Sequence, residues 1–268
     1  IKNPVVSGGT GVFAVKTATA LVEIDSVTNV LGRSIIAGVI SAADVTPASL
    51  FAGASGAATA TFTTANPIPA DGKFIVTFPA SLDVSGATII SITGQVGVAG
   101  TGHSISCAGN VCTVTRGTGG TPGIFTAGVT TVVFGVVKNP AVSGATGTFT
   151  ITTTTNGGAA IDTLTTVPAV TITAGVISVA DVTPASLVAG ASGAATATFT
   201  TANPVPADGK FVVTFPVNFD VASATVTAIT GQTGAAGTGH TINCAGQVCT
   251  VTRGTGGTPG IFTAGVTT

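Results

Sequence analysis

Residues 57–78 read AATATFTTANPIPADGKFIVTF, and this stretch decides the fold. From 57 to 64, Ala and Phe alternate with Thr at a period of two, the period of a strand with one buried face. Asn66-Pro67 then breaks the pattern, because proline has no N–H to give to a ladder. Asp71-Gly72 is a turn signal in which glycine supplies a positive φ. Residues 73–78 (KFIVTF) resume as a second strand. Outward from this pair, runs rich in Val, Ile, Thr and Phe at 39–45, 88–93, 103–107, 111–115, 130–137, 147–154, 161–166 and 170–173 are separated by Gly, Pro, Asn and Asp. No segment of useful length carries a helical period. About ten short strands with frequent turns predict an all-β chain of immunoglobulin-like β-sandwich domains.

Self-similarity is the strongest signal in the chain. Residues 37–131 return as residues 174–268, Cys107 recurring 137 positions on as Cys244; 78 of the 95 positions are identical. Several of the 17 differences, such as Ile68 against Val205 and Ile75 against Val212, conserve volume closely enough for a core to accept them. Residues 1–36 match residues 137–173 more loosely. Lys2-Asn3-Pro4 corresponds to Lys138-Asn139-Pro140 and Ile24-Asp25 to Ile161-Asp162, with one residue inserted between these anchors in the later copy. The repeat is therefore about 137 residues long. Its phase predicts three segments: the C-terminal strands of an upstream or neighbouring repeat (1–36), a complete sandwich (37–173), and the first two thirds of the next (174–268). A sandwich of about 135 residues buries roughly two thirds of its unfolded surface and needs no metal to fold.

Residue 268 corresponds to Thr131, where the complete copy enters the apolar run Thr131-Val132-Val133-Phe134-Gly135-Val136. A domain without that run exposes an edge and a hydrophobic face. Two readings fit. The chain is a window on a longer array, or the N-terminal strands of one subunit complete the incomplete domain of another by strand donation. Lys2, Val5, Val12, Phe13 and Val15 on one side, with Thr131, Val132, Val133, Phe134 and Val136 on the other, are the residues expected at such a junction. There is no initiating Met, signal peptide or sorting tail, which again reads as a processed chain or a window.

Composition narrows the function. Only 6% of residues are charged, with 8 basic against 9 acidic, and Met, Trp and Tyr are absent. A nucleic-acid binder would show a basic footprint. The apolar residues are mostly Ala and Val interrupted by Thr, Ser and Gly, so no transmembrane helix is expected. Lack of Trp and Tyr argues against a membrane barrel, which needs aromatic girdles. A surface this poor in charge protects itself badly against association. The expected partners are other copies of the chain in a head-to-tail array, together with O-linked glycans on Ser and Thr, since no Asn-x-Ser/Thr sequon occurs.

Cys107 and Cys112, and again Cys244 and Cys249, flank four residues at a predicted tight turn. This predicts two local disulfides and an oxidising compartment. Metal binding with His103 or His240 as third ligand is the rival, weakened by the lack of a CxxC spacing. No nucleophile–base pair or paired carboxylate stands out, so neither catalytic residue nor cofactor is expected. His103 and His240 read as loop histidines. Asp44, Asp71 and Asp83, with Asp181, Asp208 and Asp220, read as turn residues that accept from backbone N–H groups. The Gly-rich loop 117–123 lacks the Gly-Lys-Ser/Thr ending of a phosphate cradle. Lys73 and Lys210 are the amines to consider for an isopeptide bond, although the complete copy contains no Glu.

Val45-Thr-Pro-Ala-Ser-Leu50, Phe62-Thr-Thr-Ala-Asn-Pro-Ile-Pro-Ala-Asp-Gly-Lys73 and Lys138-Asn-Pro-Ala-Val-Ser-Gly-Ala-Thr-Gly147 together resemble the immunoglobulin-like repeats strung along very large secreted or surface-anchored proteins of microbes and unicellular algae. That likeness implies a sandwich fold, an extracellular or cell-surface location, and a role as stalk, adhesin or filament building block. The leading expectation is a structural repeat of a filament, appendage or stalk. The alternative is an adhesin or carbohydrate-binding module, which the lack of Trp and Tyr for sugar stacking disfavours.

Overall fold

The computed structural model describes residues 1–20, 22–94, 100–120, 123–230, 237–254, 256–257 and 260–268. The described chain is built of strands alone, in several sheets. It divides into two units. The first comprises Ile1–Leu50, Ala54–Pro140 and Gly144–Ile172; the second comprises Phe51–Gly53, Ala141–Ser143 and Thr173–Thr268.

The first unit holds a six-stranded sheet in the order Ser104–Ala108, Val111–Thr115, Lys73–Thr77, Phe149–Thr154, Ala160–Val167, Gly38–Val39. A four-stranded sheet runs Ser41–Pro47, Ser55–Thr64, Gly128–Lys138, Thr88–Gly94. The only parallel neighbours in these two sheets, among the described residues, are Ala160–Val167 and Gly38–Val39. Alternation works as the sequence predicts. Ala58, Ala60, Phe62 and Thr64 point inward, while Thr59, Thr61 and Thr63 are half-buried on the other face. The inward faces meet through aromatic rings. Phe62 of one sheet meets Phe74 of the other at 6.0 Å between centroids, and Phe78 lies edge-on to Phe134 at 5.3 Å and to Phe149 at 5.8 Å. Each fully buried Phe removes apolar surface worth about 1.5–3 kcal/mol. Small Ala58 and Ala60 leave room for these rings, so the two layers interdigitate at close packing. The architecture is consistent with a β-sandwich.

Two local expectations are corrected. The predicted strand at 39–45 is two strands in different sheets: Gly38–Val39 joins the six-stranded sheet and Ser41–Pro47 the four-stranded one. Ile40 sits fully buried at the crossing, its N–H donating to the Thr163 carbonyl at 3.2 Å, and a bulge follows at Ala42 (φ 45°). The bulge turns the chain from one layer to the other. The second correction concerns Gly72, which is absent from the positive-φ positions. Its N–H closes a turn on the Pro69 carbonyl at 2.9 Å, and a Cβ there would meet Ile68 and the Pro69 carbonyl. Close approach, not handedness, selects glycine at this turn.

In the second unit Thr241–Ala245, Val248–Thr252 and Lys210–Thr214 form one sheet, and Ser178–Pro184, Ala195–Thr201 and Gly265–Thr267 form another. The pairing Phe211↔Val251 and Val213↔Cys249 matches Phe74↔Val114 and Val76↔Cys112 residue for residue. Residues 13–30 form a separate hairpin of Phe13–Ala18 and Glu23–Val30.

Candidate assembly site

Two separate features bear on assembly, a sheet edge in the second unit and an exposed hairpin in the first. In the first unit Lys73–Thr77 is bonded on both sides, to Val111–Thr115 and to Phe149–Thr154. Its counterpart in the second unit, Lys210–Thr214, is bonded to Val248–Thr252 and, among the described residues, ends its sheet. The consequences show in burial. Phe74 and Val76 are fully buried, whereas Phe211 and Val213 are only half-buried. With Val182, Ala197 and Phe199 they line an open apolar cleft of about 350 Å³. Val182 is 43% exposed where Val45 is completely covered. An edge of this kind offers unpaired N–H and C=O groups beside apolar side chains, which is a template for another strand.

In the first unit the hairpin Phe149–Thr154 and Ala160–Val167 closes the corresponding edge. It pairs Phe149↔Val167, Ile151↔Leu164, Thr152↔Thr163, Thr153↔Asp162 and Thr154↔Ala160, with irregularities after Phe149 and after Thr153. Residues 13–30 reproduce this pairing through Phe13↔Val30, Val15↔Val27, Lys16↔Ser26, Thr17↔Asp25 and Ala18↔Glu23, with irregularities at the same two places. The short ladders behind the hairpins correspond too, Gly8↔Ile35 and Gly9↔Ser34 answering Gly144↔Ile172 and Ala145↔Thr171. What differs is cover. Phe149 and Ile151 are fully buried, but Phe13 is 47% and Val15 56% exposed.

A buried carboxylate fixes the hairpin of the first unit. Asp162, fully buried, accepts from the Asn66 backbone N–H at 3.0 Å and from Asn66 Nδ2 at 2.7 Å. Its own N–H donates to Thr153 Oγ1 at 3.1 Å. The free hairpin already holds the equivalent internal bond, the Asp25 N–H donating to Thr17 Oγ1 at 3.1 Å. Asn203, the counterpart of Asn66, donates its Nδ2 to the Ala52 carbonyl at 3.1 Å. On the outer edge of the hairpin Lys16 and Glu23 form an ion pair at 2.7 Å, which holds the Glu23 carboxyl below its usual range.

The two sets of residues expected at a junction lie in different settings. Lys2, Val5, Val12, Phe13 and Val15 are exposed. Thr131, Val132, Val133, Phe134 and Val136 lie in Gly128–Lys138, bonded on both sides within the four-stranded sheet. Val132 and Phe134 are in its core, and Val136 forms an exposed bulge at φ 55°.

No family model matches the chain, and no curated protein matches it.

The remaining candidate residues make contacts within the fold. Cys107–Cys112 and Cys244–Cys249 are disulfides between directly opposed residues of two hairpins, their Cα atoms 4.1 and 4.0 Å apart. They are compatible with an extracellular setting. His103 Nδ1 accepts the Gly117 N–H at 3.0 Å, and His240 Nδ1 accepts that of Gly254 at 3.0 Å. Burial, with nearby Arg116, pushes the His103 pKa down. Asp83 and Asp220 accept from the backbone N–H two residues on, as expected of turn residues. Asp44 and Asp181 instead lie within strands and accept from the hydroxyls of Thr46 and Thr183. Lys73 Nζ donates to the Asn156 carbonyl at 2.6 Å. In the Gly-rich loop 117–123, Thr121 and Pro122 lie outside the described residues. Among the described residues no three His, Cys, Asp or Glu side chains converge as a metal site, and no helix is long and apolar enough to cross a membrane.

Sequence reasoning missed Asp162 with Asn66, and it missed Arg116. The Arg116 guanidinium lies 3.8 Å over the Phe125 ring and donates to the carbonyls of Pro69 (2.6 Å) and Gly123 (2.8 Å). Arg253 repeats this over Phe262. The available signal was the recurrence of these residues in both copies of a chain with so few charges.

Proposed function

We propose that the chain is a structural repeat of an extracellular filament, appendage or surface stalk, made of immunoglobulin-like sandwiches joined head to tail. The observation that carries this reading is the matched pair just described. Residues 13–30 form a hairpin whose apolar face is exposed, and Lys210–Thr214, bonded on one side only among the described residues, is an edge of the shape such a hairpin covers. A chain with these two features extends in one direction, because a heterologous contact that does not close on itself generates a linear array. The disulfides, the low charge and the Thr-rich outer strand faces suit an extracellular wall or appendage, with Ser and Thr hydroxyls available to O-linked glycans. The partners in this reading are further copies of the same module, in one continuous chain or in separate subunits.

Electron microscopy of material from the native source, combined with its intact mass after reduction, tests the reading. Unbranched filaments or stalks with a regularly repeating module are expected, whether the mass is that of one chain or of a long array. Dispersed single particles carrying no periodic module would overturn it.

A further inference from the structure

We infer that the hairpin Phe13–Val30 of one copy of this chain seats on the Lys210–Thr214 edge of a second copy, in the register Ala14↔Thr214, Val15↔Val213, Lys16↔Val212, Thr17↔Phe211 and Ala18↔Lys210, with Asp25 clamped by Asn203. The inference rests on the head-to-tail reading above and specifies its contact.

The register follows from the complete sandwich without adjustment. Phe149–Thr154 lies on Lys73–Thr77 with Thr150↔Thr77, Ile151↔Val76, Thr152↔Ile75, Thr153↔Phe74 and Thr154↔Lys73. Each partner has its counterpart in the hairpin or in the open edge. Seating places Phe13, Val15 and Thr17 inward, where Phe149, Ile151 and Thr153 are fully buried. Lys16 and its Glu23 partner stay on the outer face, so seating does not bury that ion pair, and the one carboxylate carried inward, Asp25, meets an amide. Asp25 then falls where Asp162 falls, opposite the Asn203 amide, whose present acceptor is a backbone carbonyl.

A second copy is the fitting occupant because this chain itself carries a hairpin with the required pairing, both irregularities and the internal Thr17–Asp25 bonds already formed. Binding therefore orders little that is not ordered beforehand.

Cys107 and Cys112 face each other at 4.1 Å between Cα atoms, the short spacing of a non-hydrogen-bonded pair. Hydrogen bonding alternates across an antiparallel sheet, so Cys112↔Val76 is a bonded pair and Val76↔Ile151 is again a close, non-bonded one. Val15 and Val213 inherit that closeness, which suits a cross-strand disulfide.

The experiment mixes 268-residue chains carrying Val15→Cys with chains carrying Val213→Cys under mild oxidation, and separates the products without reductant. A disulfide-linked pair of chains is expected, with little product when Val212→Cys, which faces the opposite side, replaces Val213→Cys. Asp25→Ala or Asn203→Ala is expected to weaken association about tenfold, the loss of hydrogen bonds to a charged group. Association without preference for Val213 over Val212 would overturn the register while leaving the array reading intact. Failure of the two chains to associate would overturn the inference, as would a Val15–Val213 bond formed only within single chains when both substitutions are present together. In either case microscopy of native material still decides the array reading independently.

Discussion

Asp162 presents both carboxylate oxygens to one residue, accepting from the backbone N–H of Asn66 at 3.0 Å and from its Nδ2 at 2.7 Å, across 96 residues of chain. The pair is the only tie of its kind between the closing hairpin and the bend at Asn66-Pro67 among the described residues. Removing the carboxylate strands two half-buried donors, and a donor left unsatisfied in the interior costs about 1–3 kcal/mol.

Asp162→Ala is therefore expected to destabilise the complete sandwich by roughly 3 kcal/mol. Urea unfolding of the substituted chain, followed by hydrogen exchange at Phe149–Val167, measures it. A double-mutant cycle with Asn66→Ala is expected to show strong coupling between the two sites. Additive losses would mean that the pair does not act as a unit.

Arg116 is held by geometry as much as by charge. Its planar guanidinium stacks on Phe125 while reaching carbonyls at 2.6 and 2.8 Å. Burial pushes its pKa below the ordinary arginine value, with Asp71 partly opposing the shift. An ammonium cannot stack and fork in the same way. Arg116→Lys is expected to lower stability by about 2 kcal/mol, read as a reduced melting temperature, even though the charge is retained. Arg253→Lys is expected to affect the second unit in the same direction.

The disulfides close small loops already closed by a two-residue turn. Replacing Cys107 and Cys112 together by Ser is expected to cost about 2 kcal/mol by the loop-entropy argument, with the fold retained. Circular dichroism of the reduced protein checks this. Complete loss of strand signal would show that the bridge creates the hairpin instead of stapling it.

The His103 pKa lies below its ordinary value, so the folded chain holds fewer protons there than the unfolded chain as pH falls. Folding stability from this group is complete above the unfolded pKa of about 6.5 and is lost as pH drops through the lower folded value. The same sign follows from the contact, since Nδ1 must be unprotonated to accept from Gly117. Melting temperature is expected to fall between pH 7.5 and pH 5. His103→Asn is expected to flatten that slope, and an unchanged slope would assign it to other groups.

Strand positions were legible because period-two alternation with Thr is a local property, and residues 57–64 and 73–78 fold as their pattern predicts. The cysteine pairs were legible for the same reason, since five positions and a turn fix their partners. What escaped reading depended on distant residues. The run at 39–45 divides between two layers because Ile40 is buried between both sheets, which nothing in its own neighbourhood announces. Asp-Gly at 71–72 suggests a left-handed glycine, yet the side chain of Ile68 sets the requirement. Asp162 and Asn66 each read as ordinary loop or strand residues until the fold brings them together. The register of Phe13–Val30 was not legible as such. The repeat indicated that a tail segment existed, but only the ladder of its counterpart reveals where each side chain goes.

The parallel pairing of Gly38–Val39 with Ala160–Val167 has a mechanical consequence. Tension drawing residue 38 toward the N-terminus and residues 160–167 toward the C-terminus slides these two strands along each other. Their hydrogen bonds are then loaded together and not unzipped one at a time. Asp162 sits at the centre of that contact, close enough to Gly38 that a Cβ there would strike its carboxylate. Single-module pulling is expected to show Asp162→Ala rupturing at lower force than the parent. In a load-bearing thread, the buried carboxylate would set the force at which the module yields.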